Sequence, residues 1–338
     1  MATRARRQPR RYRHEALLWA RMDAYLDAVV PFVLDGLAAG MPVMVAVQEE
    51  RWQFLREALG EDARRVDHVD LARLGHNPAR LMPVWRRFAD ELAGAPARGL
   101  AEAVRPGLDP AQLGECQVHE ATLNVAVPHA TPLWLLCPYD IAALDEAAIA
   151  EARRSHAYVT EVDGHHGRSP DYAGRDHATA LAEQRLPRPG PAPGTVAEFR
   201  KYRRGDLARI RRFVLDRALV AGLTQDKADD LCLAVNELAA NSIDHGGGDG
   251  ILRMWREPDR LVVEVSDAGT ITDPMVGRVD PTLEQDRGRG LWMAHQLSDL
   301  LQIRRTARGT VLRAVTWLDE EPAAPAGPAG LSGPVAQT

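Results

Sequence analysis

Leu233-Ala-Val-Asn-Glu-Leu-Ala-Ala-Asn241-Ser-Ile-Asp-His245 decides how this chain is read. Set on a helix from about Asp226 to Asp244, its residues sort into two stripes. Leu231, Val235, Leu238 and Ser242 form one, suited to a core; Asp230, Ala234, Glu237, Asn241 and His245 form another. Glu237 and Asn241 are four apart, so a carboxylate and an amide share one face, one turn from each other. The helix runs into Gly246-Gly-Gly248, which frees the backbone for a sharp exit.

Working outward, residues 206–222 place Leu207, Ile210, Val214, Ala218 and Ala221 on one amphipathic stripe. Downstream, Ile251–Arg256 and Leu261–Val265 alternate and predict an antiparallel hairpin. Its second strand leads into Ser266-Asp267-Ala268-Gly269-Thr270, where an Asp beside a Gly can aim its carboxylate into a pocket. Thr270–Arg287 has little regular pattern and suits a mobile lid. It closes on Asp286-Arg-Gly-Arg-Gly-Leu291, whose Gly288 and Gly290 open a helix to about Leu300. Freed amides at such a helix start suit phosphate. Strands Leu301–Arg305 and Val311–Trp317, joined through Arg308-Gly309-Thr310, complete the region.

In this order the elements of residues 195–318 resemble the GHKL, or Bergerat, ATP-binding fold of gyrase, histidine kinases and anti-sigma kinases. The resemblance implies an α/β sandwich and roles for the matching positions. Asn241 would ligate Mg²⁺, and Asp267 would accept a hydrogen bond from the adenine amino group, with Gly269 letting the base approach. Gly288, Gly290 and Leu291 would meet the phosphates at the lid's end, and Thr310 would support the adenine side. Glu237 would be the general base that takes a proton as the γ-phosphoryl moves. The Gly often found two residues after Gly269 is here Ile271.

The 338 residues suggest two domains. A net charge of −5 argues against a nucleic-acid coat or a membrane-surface protein, and no apolar run is long enough to span a bilayer. Cys116, Cys137 and Cys232 are too few and scattered for a disulfide framework, which fits a reducing cytoplasm. Pro and Gly crowd residues 186–194, and the chain after about 320 is rich in Pro, Ala and Gly. The expected plan is a flexible basic tail (1–13), a sensory domain (14–165), a linker (166–194), the ATPase-type domain (195–318) and a disordered tail (319–338).

The first domain alternates helical patterns, at 22–39, 49–59 and 143–158, with buried-strand candidates at Pro42–Gln48 and Leu133–Cys137. This predicts a mostly parallel sheet covered on both faces. Neither strand is followed by a phosphate loop, which disfavours nucleotide hydrolysis here. Glu102, Glu115, His119, Glu120 and Cys137-Pro-Tyr-Asp140 are read as polar residues near strand ends. His14, the Gly36–Gly40 helix end, Glu115-Cys-Gln-Val-His-Glu-Ala-Thr-Leu-Asn124 and Cys137-Pro-Tyr-Asp140 resemble a MEDS-type sensory domain. That family is similar to RecA-like folds lacking a working phosphate loop, and implies sensing of a small molecule. Cys116, His119 and Cys137 are the candidate sensing residues.

A histidine kinase would need a phosphoacceptor His on a dimerising hairpin before its ATP domain, but residues 206–222 contain no His. Arg212-Phe-Val and the 233–245 segment instead resemble anti-sigma-factor serine/threonine kinases. The resemblance implies a cytoplasmic protein that binds Mg·ATP and a sigma factor and phosphorylates a Ser or Thr of an anti-anti-sigma (STAS) partner. Homodimers are common in that family, and neither nucleic acid nor membrane is an expected partner. Two alternatives stand beside this reading: a non-catalytic, ATP-dependent anti-sigma binding module, and a sensor histidine-kinase-like protein.

Overall fold

Runs of Val, Ile and Leu that lack alternation need cover on both faces, and the first half of the chain supplies it. The computed structural model describes residues 8–74, 77–184, 198–281 and 289–318. The first unit runs β1 (Arg13–Trp19), α1 (Met22–Ala38), β2 (Val43–Val47), α2 (Glu49–Leu59), β3 (Asp67–Asp70), α3 (Leu81–Glu91), β4 (Ala97–Ala101), α4 (Pro110–Ala126), β5 (Leu133–Asp140), α5 (Glu146–Ser155), β6 (Tyr158–Thr160), β7 (His166–Arg168) and α6 (His177–Ala182). Its sheet has the order β3-β2-β4-β5-β1-β6-β7. Every pairing is parallel except that of β7 with β6.

The period of two along each strand sorts side chains between two cores. Ala16, Leu18, Met44, Ala46, Leu135 and Cys137 join one with α3 and α4. Leu17, Trp19, Val43, Val45, Val47 and Leu136 join the other with α1 and α2. The expected two-sided parallel sheet is therefore present.

Three local expectations change. The basic tail ends earlier than residue 13, because Arg13 begins β1 and lays its guanidinium over the rings of Trp134 (4.3 Å) and Tyr158 (4.4 Å). This stacking, with a 2.7 Å ion pair from Arg13 Nε to Glu15 Oε2, lets an Arg open a strand inside the sheet that charge alone would send to water. Glu115, His119 and Glu120 lie within α4, not at strand ends. This helix starts with a capping box at Asp109 and Gln112, the Asp109 side chain accepting from the Ala111 and Gln112 amides. Last, the segment read as linker from residue 166 contributes β7 and α6; the Pro/Gly signal lies beyond, at 186–194, outside the described residues.

The second unit runs β8 (Glu198–Arg203), α7 (Leu207–Val220), α8 (Gln225–His245), β9 (Asp249–Arg256), β10 (Arg260–Asp267), α9 (Arg289–Leu297), β11 (Leu300–Thr306) and β12 (Gly309–Trp317). Its antiparallel sheet has the order β11-β12-β10-β9-β8. Leu252, Met254, Val263, Val265, Ile303 and Leu312 pack on one face against Ile210 and Val214 of α7, Leu231, Val235 and Leu238 of α8, and Leu291 and Ala294 of α9. This is the expected α/β sandwich. The opposite face carries Trp255, Val262, Leu300 and Val315, and Ala111 of α4 packs against it. Helix α4 is thus wedged between the two sheets. The segment 319–338 lies outside the described residues.

Candidate functional site

The end of β10 and the end of α8 converge on Asp267. Ser242 Oγ, from the last turns of α8, donates to Asp267 Oδ2 at 2.6 Å, and the Gly269 amide donates to Oδ1 at 2.8 Å. In register, Asp267 stands opposite Thr310 on β12. Thr310 Oγ1 donates to the Gly269 carbonyl at 2.9 Å, closing the loop onto the neighbouring strand. Gly309 makes that approach sterically feasible: its φ is +131°, and a Cβ there would sit 1.8 Å from the Asp267 carbonyl oxygen. Each Asp267 carboxylate oxygen takes one described hydrogen bond. Each has a second lone-pair direction for a ligand's N–H, as an adenine amino group requires.

A turn and more back along α8, Glu237 and Asn241 are half-buried and face the start of α9. A methyl group on Gly290 would lie 2.8 Å from Glu237 Oε2 and 3.1 Å from Asn241 Nδ2. Only a residue without a side chain leaves that space to a ligand. Asn236 Nδ2 donates to Glu237 Oε1 at 3.3 Å, and buried Leu291 anchors α9 in the core. A carboxylate, an amide and a helix N-terminus at one mouth fit an anion with a divalent cation. The donors present therefore suit Mg²⁺ and a nucleotide. Gly288, the other expected phosphate contact, lies outside the described residues.

The described part of the lid leans on the sensory half. Ile271 and Val276 rest on the second unit's core, but Met275 packs against the first unit's. Arg278 Nη2 donates to Glu115 Oε2 at 3.0 Å, and Arg304 of β11 pairs with the other oxygen at 2.5 Å. All three side chains are buried. Burial, opposed by Glu115, lowers the Arg278 pKa from its ordinary value. From the first unit Arg80 donates to the carbonyls of His295 (3.2 Å), Gln296 (2.7 Å) and Ser298 (2.9 Å), and so caps the C-terminal end of α9. Asn77 Nδ2 donates to the His295 carbonyl at 2.9 Å.

Of the candidate sensing residues, Cys137 alone joins a polar cluster. Its Sγ lies 3.4 Å from His14 Nε2, and Glu120 Oε2 lies 3.1 Å from the same nitrogen. His156 Nε2 lies 3.4 Å from Glu120 Oε2. Cys116 lines a small cavity with Leu71, Leu81 and Leu108, and burial pushes its thiol pKa up to about 12. His119 is fully buried; burial lowers its pKa to about 4, and neither ring nitrogen has a described hydrogen-bond partner. Burial likewise lowers His14 to about 4 and raises Cys137.

The partners of Cys137 and the Glu115–Arg278 contact escape a reading by sequence order. Strand parity carries a signal for the first: β1 and β5 pair Ala16 with Cys137, so His14, two residues back, shares Cys137's face. No such signal joins Glu115 to a residue 163 positions away.

Residues 13–157 match the model of the MEthanogen/methylotroph, DcmR Sensory domain (MEDS), and residues 202–316 match that of the histidine kinase-like ATPase domain. No curated protein matches the chain. No helix among the described residues is long and apolar enough to cross a membrane. Both halves thus carry the architecture expected of them, and the chain joins a MEDS sensory domain to a histidine kinase-like ATPase domain, which implies ATP binding.

Proposed function

We propose that this protein is an anti-sigma regulator. Its ATPase half binds Mg·ATP and a sigma factor, and transfers phosphate to a Ser or Thr of a STAS-type antagonist. Its sensory half governs that transfer. The observation that carries the reading is the pairing of Glu237 with Asn241 at the open side of Gly290. Asn241 supplies an oxygen for the cation. Glu237 accepts the proton that the attacking hydroxyl must lose. Mg²⁺, when bound, neutralises charge on the phosphate oxygens.

A pure binding module has no need for a carboxylate at that position, which favours catalysis over the non-catalytic alternative. The histidine-kinase-like alternative is weakened by α7, which contains no His, and by His177, which is buried and held by a side-chain hydrogen bond with Glu151. Control by the sensor is supported by α4, whose Glu115 holds Arg278 of the lid. A change that moves α4 therefore reaches the segment whose Gly277 lies against Leu291 near the start of α9.

The deciding experiment incubates the full chain with labelled ATP and candidate STAS proteins, then maps the labelled residue. Label on a STAS Ser or Thr is expected. Label on a His, or ATP-dependent sigma-factor binding without any transfer, would replace the kinase reading with one of the two alternatives.

A further inference from the structure

Four ligand-bearing side chains from four separate parts of the first unit meet in its interior: His14 of β1, Glu120 of α4, Cys137 of β5 and His156 just after α5. All are buried, and their ligand atoms lie within 4.8 Å of one another. The tautomers of both imidazoles follow from their outer partners. His156 Nδ1 is 2.7 Å from the Ala152 carbonyl, which can only accept, so Nδ1 carries the proton. Asn124 Nδ2 donates to the Ser155 carbonyl at 2.8 Å, which turns Asn124 Oδ1 toward His14 Nδ1 at 3.2 Å. That nitrogen is therefore also the protonated one. Both Nε2 lone pairs then point inward, at Glu120 Oε2, from 3.1 Å and 3.4 Å.

A carboxylate oxygen facing two imidazole lone pairs is repulsive unless a cation lies among them. One proton can satisfy only one of the contacts. His156 Nε2 and Glu120 Oε1 have no described hydrogen-bond partner, although both are buried. The Cys137 thiol adds a third donor type 3.4 Å from His14 Nε2. Tetrahedral bonds of about 2.0–2.3 Å separate ligands by about 3.3–3.8 Å, close to the three spacings measured here. The outer hydrogen bonds from the two Nδ1 groups match the arrangement that orients metal-bound histidines. An approach exists as well: a cleft of about 1540 Å³ at the start of β1 is lined by His14 and Asn124.

We propose that His14, Glu120, Cys137 and His156 bind one divalent transition-metal ion, with zinc best suited to two imidazoles, one thiolate and one carboxylate. Binding breaks the Cys137 S–H bond, forms the S–metal bond and releases the proton to solvent. The ion ties β1, β5 and the α5 end to α4, the helix whose Glu115 holds the lid.

The test uses the full chain, stripped with chelator and refilled with Zn²⁺ or Co²⁺. One Zn²⁺ per chain is expected to survive gel filtration. Co²⁺ should give an intense tetrahedral d–d absorption together with a thiolate-to-cobalt charge-transfer band. Cys137→Ser, close to isosteric, should abolish the charge-transfer band, and Asn124→Ala should weaken zinc by about 10–100-fold through loss of ring orientation. A wild-type protein that retains no stoichiometric zinc, or whose cobalt form lacks the thiolate band, would overturn the proposal without any variant having to fold. A band that persists in Cys137→Ser would overturn it equally, by placing the metal at another cysteine.

Discussion

Helices α4 and α8 carry the same pair at the same spacing, Glu120 with Asn124 and Glu237 with Asn241. Their surroundings are opposite. On α8 both residues are half-buried at a mouth that Gly290 leaves open. On α4 Glu120 is 1% and Asn124 6% exposed, and both face His14. One geometry therefore serves two tasks. Beside solvent, a carboxylate and an amide can act on a visiting ligand. Enclosed, every lone pair must be answered from within the protein, and the pair becomes part of the framework.

The contrast breaks most readily at Glu237. Replacing Glu237 by Ala should lower phosphotransfer by roughly 10²–10⁴-fold while ATP affinity and thermal stability stay near wild type. Steady-state rates at saturating ATP and partner decide this, and an unchanged rate would leave Glu237 as an ordinary helix residue. The acid of α4 that meets the lid should behave in the reverse way. Glu115→Ala strands Arg278 and Arg304 in the interior and should destabilise the folded chain by about 3–5 kcal/mol, read from denaturant unfolding. A loss below about 1 kcal/mol would mean that water reaches the two guanidinium groups.

Asp267 sharpens the comparison from the ligand side. Asp267→Asn should weaken ATP by about 1.5–3 kcal/mol in a calorimetric titration, with a smaller effect on folding, because a charge-assisted acceptor is lost. The smallest effect concerns His295, which is fully buried and faces Arg80, Arg278 and Asn77. Burial first, then the two cations, hold its pKa well below 6.5. The folded chain therefore keeps His295 neutral where the unfolded chain protonates it. Unfolding then takes up a proton below pH 6.5, so this stability is present above that pH and is lost as pH falls below it, by at most about 1.4 kcal/mol per pH unit. His295→Gln should flatten the slope of unfolding free energy between pH 6.5 and 5.5; an unaltered slope would assign it to other groups.

The same contrast explains what could be read in the sequence. Helix α8 has a wet face and a dry one, so its stripes were visible and its paired residues stood out. The elements after it follow one another in chain order around one site, and the pattern of Asp267, Gly269, Gly290 and Thr310 could be recognised as a set. Helix α4 is buried almost all round, so no amphipathic stripe marks it, and the sequence alone puts Glu115, His119 and Glu120 near strand ends. Strand β1 hid inside a basic stretch because Arg13 stacks on Trp134 and Tyr158. The companions of Cys137 come from strands and helices that are adjacent only after the sheet has assembled; no local spacing could join His14 to His156.

Arg80 has a further consequence. Helix α9 ends without a basic residue of its own beyond His295, which is uncharged, and the guanidinium that meets its last carbonyls belongs to the sensory half. The ATPase-type half is accordingly not interchangeable cargo. A recombination event, natural or engineered, that joined residues 198–318 to a foreign sensor at the Pro/Gly stretch would respect the apparent boundary and still sever the helix from its cap. Such a chimera is expected to lose stability at that helix end, and an equivalent of Arg80 in the new partner should restore it.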